Sequence, residues 1–381
     1  MKRKVAVMAV GLLVALAALL LGWGVRDFYR PYRGFTGREM LEIPSGTSVP
    51  AIAGLLVARG VLAHKWPFLA RYWIGRNRHR LKAGEYLFDR PLRPIDVYRK
   101  LVAGDVYLYP VVIPEGSDRF DIARILAERM AIDPADFLRR SGQPSLIHDL
   151  DPEAPSLEGY LFPDTYRFPR HVSADTVIAT MVLRFRHVLE SKLRDEIASG
   201  TGKLHNVVTL ASLVEKETPD PAERPVVAGV FMRRLEKGML LQCDPTVIYA
   251  ARLAGRPIAV IHVSDLNFDS PFNTYRYGGL PPGPIANPGV SSLRAAFHPA
   301  SGDVLYFVSN NHGGHIFSKT LAEHQHNVAR YKQALAAARH NAAAKPSASA
   351  QTSTAGKHAP PAKSGGSSQG AKPSQQKANP S

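Results

Sequence analysis

An α+β fold carried by one N-terminal membrane helix is what the sequence predicts, and three observations predict it. Residues Val5 to about Val25 form an uninterrupted apolar run. Beyond it, strand-like and helix-like segments follow one another without the regular alternation of a parallel α/β sheet. The last forty or so residues are mostly Ala, Ser, Pro, Gly, Lys and Gln, with no Phe, Trp or Tyr. The chain has 381 residues, of which 45% are hydrophobic. That fraction excludes a wholly disordered protein, and roughly 100–200 residues per domain gives two or three domains.

Lys2-Arg3-Lys4 precedes the apolar run, and Trp23, Phe28, Tyr29 and Tyr32 follow as interface aromatics. About 20 residues at ~1.5 Å each span a bilayer core of roughly 30 Å. Ala15-Leu16-Ala17 resembles a signal-peptide cleavage site, but Leu19-Leu20-Leu21 carries the apolar run past it. An uncleaved, single-pass anchor is the expectation, with the N-terminus inside and the body outside the cytoplasm.

The net charge of +16 invites a nucleic-acid reading. Each end of the chain, 1–40 and 340–381, carries +5, which leaves +6 for everything between. That is an ordinary value, and the nucleic-acid reading loses most of its support. One cysteine excludes an internal disulfide and a Cys-rich metal site. The tail cannot bury enough surface to offset its ordering entropy and is expected to be disordered.

An internal repeat organises the next part. Ile43-Pro44-Ser45-Gly46-Thr47 leads into Ile52-Ala53 and Leu55-Leu56, and Ile113-Pro114-Glu115-Gly116-Ser117 leads into Ile122-Ala123 and Ile125-Leu126. Each copy reads as a strand, a glycine turn, and a helix with an apolar stripe. A helix near Trp66–Trp73, a strand at 84–88 and a helix at 94–102 complete a small β-α-α-β unit. Farther on, helices are expected at Ala174–Ala198, His205–Glu217 and Ala222–Lys237. A Pro, Gly and Asn-rich loop follows at 265–288, then strands at 304–309 and 315–318 and a helix over 321–338.

Walker, dinucleotide-binding, GxSxG and HExxH motifs are absent. His312, His315, His324 and His326 have no carboxylate or Cys pairing in sequence, so they read as solvated or hydrogen-bonding residues and not as metal ligands. In the helix Asn206–Thr218, Val207, Leu210, Ala211 and Val214 share one face, with Glu215 and Glu217 on its opposite edges. A carboxyl at such an edge is partly desolvated, which raises its pKa toward what a general acid needs. The residues alone do not choose between the two. Three loop segments add polar tips: 157–166 (LEGYLFPDTY), 241–249 (LQCDPTVIY), and Asn273-Thr274-Tyr275 with 278–285. Asn, Gln, Asp and Tyr together suit the hydroxyls and apolar faces of sugars.

These segments, with 209–218 (TLASLVEKET) and 273–289 (NTYRYGGLPPGPIANPG), resemble the endolytic murein transglycosylase family, also called YceG-like. The resemblance runs from the anchor to about Lys332. It implies a cytoplasmic stub and anchor (1–37), a LysM-like module (38–114) and a catalytic domain (115–340); the low-complexity tail (341–381) lies outside the resemblance. It implies that Glu215 is the catalytic acid/base, cutting the MurNAc–GlcNAc bond inside nascent peptidoglycan strands to leave 1,6-anhydro ends, and so ending strand growth. Asp244, Asn273, Tyr275 and Gln242 are the residues expected to hold the sugars, with Thr246, Tyr249, Glu217 and Glu158 beside them. No cofactor and no metal are implied. Wall synthases (penicillin-binding proteins) are the implied partners, and the inner membrane, with the body on its outer side, is the implied location. Cys243 stands where the family pattern has a small hydroxyl residue. A non-catalytic wall-binding scaffold and a hydrolase pairing Glu215 with Asp244 or Glu217 are the competing readings.

Overall fold

The structure is a computed structural model that describes residues 2–75, 80–198 and 202–343. Among the described residues, those up to Tyr331 form one compact unit, and Lys332–Ala343 belong to a second. Residues 344–381, nearly all of the expected disordered tail, lie outside the described residues.

The apolar run forms helix α1 (Lys2–Tyr29), whose side chains face outward along nearly its whole length. Its C-terminal end docks on the body: Trp23 stacks on Trp66 at 5.8 Å, and Asp27 accepts from His64 at 3.1 Å.

The expected β-α-α-β pattern is present: β1 (Glu39–Ile43), α2 (Val49–Ala58), α3 (Trp66–Ile74) and β2 (Gly84–Phe88), followed by α4 (Pro94–Ala103). β1 and β2 pair antiparallel, with Leu41 opposite Tyr86. The alternation in β1 turns Leu41 and Ile43 inward onto Ile52, Leu56, Phe68 and Leu101, a core of its own. The second repeat copy makes the same move, from β3 (Tyr109–Val112) through Gly116 into α5 (Arg119–Met130). Both turn glycines have left-handed backbones, φ 82° at Gly46 and 73° at Gly116, where a side chain would be strained. Asp118 and Asp121 form a capping box at the start of α5, and Arg252 bridges both carboxylates.

The larger core is mainly helical. After α6 (Pro134–Ser141), β4 (Thr165–Phe168) returns to pair antiparallel with β3. The helix expected at Ala174–Ala198 is two, α7 (Ala174–Lys192) and α8 (Arg194–Ala198), broken at Leu193, whose buried side chain anchors the bend. Then come α9 (Leu204–Glu217), α10 (Arg224–Glu236), α11 (Asp244–Leu253) and α12 (Val290–Phe297). The hairpin β5 (Tyr306–Ser309) and β6 (His315–Ser318) precedes α13 (Leu321–Ala343).

The sequence predicts an amphipathic α9. In the fold every side chain from Val207 to Val214 is buried, because neighbours cover it on all sides. Its polar members are absorbed internally: the Ser212 hydroxyl donates to the Thr209 carbonyl and accepts from the Ile285 N–H. Beyond Asn206, only the last turn of α9 reaches the surface, and that turn carries both glutamates.

Candidate active site

The end of α9 opens on a cleft of about 290 Å³. Glu217 forms one wall with Leu241, Gln242 and Asp244, at the entry to α11. Tyr275 closes one side. Arg234 of α10, Phe307, Val308 and Ser309 of β5, His315 of β6 and His324 of α13 close the other.

Burial pushes the Glu217 carboxyl above its ordinary range, and the neighbouring Asp244 charge pushes the same way. The Cys243 thiol, which hydrogen-bonds to Glu217, works in the opposite direction, as do His315 and Arg234. Burial also pushes Cys243 well above its usual range, so it stays a thiol and donates. Arg234 is fixed by the carbonyls of Leu305 and Leu241, at 2.8 and 2.7 Å.

The 241–246 segment is built to present side chains. Gln242 has φ 51°, a left-handed conformation that costs a non-glycine residue roughly 1–2 kcal/mol. Its N–H donates to the Thr274 carbonyl at 3.1 Å, and the Cys243 N–H donates to the Thr274 hydroxyl at 3.0 Å. The Tyr275 hydroxyl donates to Asp244 at 2.5 Å. Gln242, Asp244 and Tyr275, three of the residues expected to hold the sugars, thus meet at the cleft.

Other expected contacts lie elsewhere. Asn273 is sealed; its amide donates to the carbonyls of Leu266 and Phe268, and its oxygen accepts from the Tyr275 N–H. It therefore shapes the loop that carries Tyr275. Thr246 is equally buried and bonded to Cys243 and Thr274. Tyr249 donates to Glu158 at 3.0 Å, inside the protein. Glu158 also accepts from the Arg119 N–H and from Asn287, whose amide reaches the Ser117 carbonyl as well. These four hold loops together and do not line the cleft.

Glu215 is not among the residues that line the cleft. Arg224 donates to one of its oxygens at 3.0 Å, and the Gly289 N–H donates to the other at 2.9 Å. The half-exposed Glu115 lies 3.8 Å from the same guanidinium. Along α9, Glu215 and Glu217 are two residues apart and so project on widely separated faces.

No local pattern singles out Arg234 or Glu223, which bond to Leu305 and His315 about seventy and ninety positions away. His315 stood only as one of four histidines with hydrogen-bonding roles. The glycines before it, Gly313 and Gly314, were the available signal of a tight turn that aims it.

The YceG-like family model matches residues 41–330. An endolytic murein transglycosylase of Bacillus subtilis (strain 168) is 34% identical over 308 residues, covering 76% of this chain and 84% of that protein. An endolytic murein transglycosylase of Streptococcus pneumoniae serotype 2 (strain D39) is 28% identical over 320 residues. That match covers 76% of this chain but only 57% of the pneumococcal protein. The 2.6 Å crystal structure of a YceG-like protein from Listeria monocytogenes superposes with a TM-score of 0.52. It is 35% identical, and the match covers 76% of this chain and 98% of that one.

Proposed function

Because the chain belongs to the YceG-like family, we propose that it is an endolytic murein transglycosylase and that Glu217, in place of Glu215, is its acid. The observation that carries this reading is the position of Glu217: a carboxyl with raised proton affinity, in the wall of the one cleft that also holds Gln242, Asp244 and Tyr275. A protonated carboxyl there can give its proton to the glycosidic oxygen between MurNAc and GlcNAc as the C1–O bond breaks. The tethered C6 hydroxyl of MurNAc then closes on C1 to give the 1,6-anhydro end. Tethering replaces a second molecule and its entropy cost, so no activated water is needed. Gln242, Asp244 and Tyr275 supply donors and acceptors for sugar hydroxyls.

Supporting the membrane placement is α1, whose 28 residues reach about 40 Å. We place the body on the outer face of the cytoplasmic membrane, where peptidoglycan is made, and cleavage there would end strand elongation beside a synthase. The 38–114 region, with its separate core and paired β1–β2, is assigned as the LysM-like module that positions glycan.

The test is digestion of uncrosslinked glycan strands by the detergent-solubilised full chain, with Glu217→Gln beside it, and mass spectrometry of the new ends. Anhydro ends from the wild type alone are expected. Reducing ends would point to a hydrolase, and binding without new ends would point to a scaffold.

A further inference from the structure

We propose that His315, held by Glu223, is a second catalytic residue of the cleft and accepts the proton that the MurNAc C6 hydroxyl releases as it closes on C1. The inference rests on the lytic reading above and assigns a step that reading leaves open.

Glu223, at the start of α10, grips His315 twice. One oxygen accepts from its backbone N–H and the other bonds ring Nδ1, both at 2.7 Å. The Thr218 hydroxyl donates to the second oxygen at 3.0 Å. Burial opposes the charge on Glu223, but the bonds from His315 outweigh it and hold the carboxyl below its usual range. The turn is shaped around this carboxylate: a Cβ on Gly314 would lie 2.8 Å from the Glu223 oxygen that accepts the His315 N–H. Phe307 packs against the imidazole edge-on, with centroids 5.2 Å apart.

An ionised carboxylate only accepts, so the proton sits on Nδ1 and Nε2 is left as the basic atom. Nε2 has no hydrogen-bond partner among the described residues, on a ring that lines the cleft with Glu217. The other cleft histidine is a poorer base. His324 stacks on Tyr306 at 5.3 Å, and burial lowers its proton affinity.

The proton count closes. Glu217 gives its proton to the glycosidic oxygen, which leaves with the C1–O electron pair as the GlcNAc hydroxyl. O6 forms the bond to C1, and its proton goes to Nε2. His315 is then cationic and Glu217 anionic, and a charge on His315 favours the Glu217 carboxylate. Transfer from one to the other, through water, resets the site. Splitting the work lets each group make one transfer in its ready protonation state.

The test compares the full-length wild type with His315→Gln, His315→Ala and Glu223→Gln on uncrosslinked strands, reading kcat, KM and the ratio of anhydro to reducing ends. With Glu217 intact the leaving group is still protonated, but ring closure loses its base and water competes. We expect His315→Gln to lose about 10²–10⁴-fold in kcat with KM little changed, and reducing ends to rise. Imidazole should partly restore anhydro ends to His315→Ala, and Glu223→Gln should fall between. Wild-type anhydro ends that persist undiminished in His315→Gln would overturn the inference alone. So would a loss of rate with an unchanged end ratio and no imidazole rescue. A wild type that makes no anhydro ends would overturn the lytic reading and this step together.

Discussion

Arg224 donates to Glu215 across 3.0 Å, and the two side chains are only 6% and 5% exposed. Under the proposed function, this pair gives the two glutamates of α9 opposite tasks. Removing one partner of a buried pair leaves an uncompensated charge, at a cost of about 3–5 kcal/mol. Glu115, 3.8 Å from Arg224, remains as a weaker partner and favours the lower end of that range. Glu215→Gln should therefore lower the midpoint of denaturant unfolding while the folded fraction keeps its kcat. Glu217→Gln should keep the midpoint and lose at least ~10²-fold in kcat. Measuring both quantities on both variants decides the matter, and the reverse pattern would return the acid to Glu215.

Cys243 bears on the proton affinity of the proposed acid, Glu217. Burial raises Glu217, and the thiol bond pulls it back. The active form is protonated, so activity falls as pH rises through the Glu217 pKa. Cys243→Ala removes a donor to the carboxylate and should move that alkaline limb of kcat/KM to higher pH. Cys243→Thr, if its hydroxyl takes the thiol's place as a stronger donor, should move the limb to lower pH. Three coincident limbs would mean that Glu217 does not set them.

Much of this arrangement was legible in the residues. The apolar N-terminal run, the repeated Ile-Pro-x-Gly turns and the helix periods all rest on local chemistry, and apart from the break at Leu193 these elements fall close to where that chemistry puts them. Gln242, Asp244 and Tyr275 were also readable as cleft residues, because loop tips rich in polar groups are where sites sit. What local pattern does not carry is which face a neighbour will cover. The edge positions of Glu215 and Glu217 look equivalent along α9, and only Arg224 and Gly289, packed on one edge, separate them. Asn273 and Glu158 read as sugar ligands for the same reason: a polar side chain on a loop looks alike whether it bonds a sugar or the backbone behind it.

Gln242 is a trade between strain and presentation. At φ 51° a glycine would relieve about 1 kcal/mol. Gln242→Gly should therefore unfold at slightly higher denaturant than Gln242→Ala, which keeps the strain and loses the same side chain. Both should raise KM by a similar factor, since both remove the cleft amide. A glycine variant less stable than the alanine one would show that the left-handed backbone is not strained in solution.

Glu158 should leave its mark on stability and not on catalysis. Burial, which outweighs the opposing Arg119 charge, lifts its carboxyl from 4.5 to about 7. Between those values the native state holds a proton that the unfolded chain has released, so stability falls as pH rises through the window. The slope can reach about 1.4 kcal/mol per pH unit. Glu158→Gln keeps an oxygen for the Arg119 N–H and Tyr249 but cannot ionise. Its stability relative to the wild type should therefore climb from pH 5 to pH 8, even if the loss of an acceptor for Asn287 makes it weaker at the acid end. Urea unfolding at four or five pH values measures the difference, and two parallel curves would mean that Glu158 ionises at its ordinary pKa inside the fold.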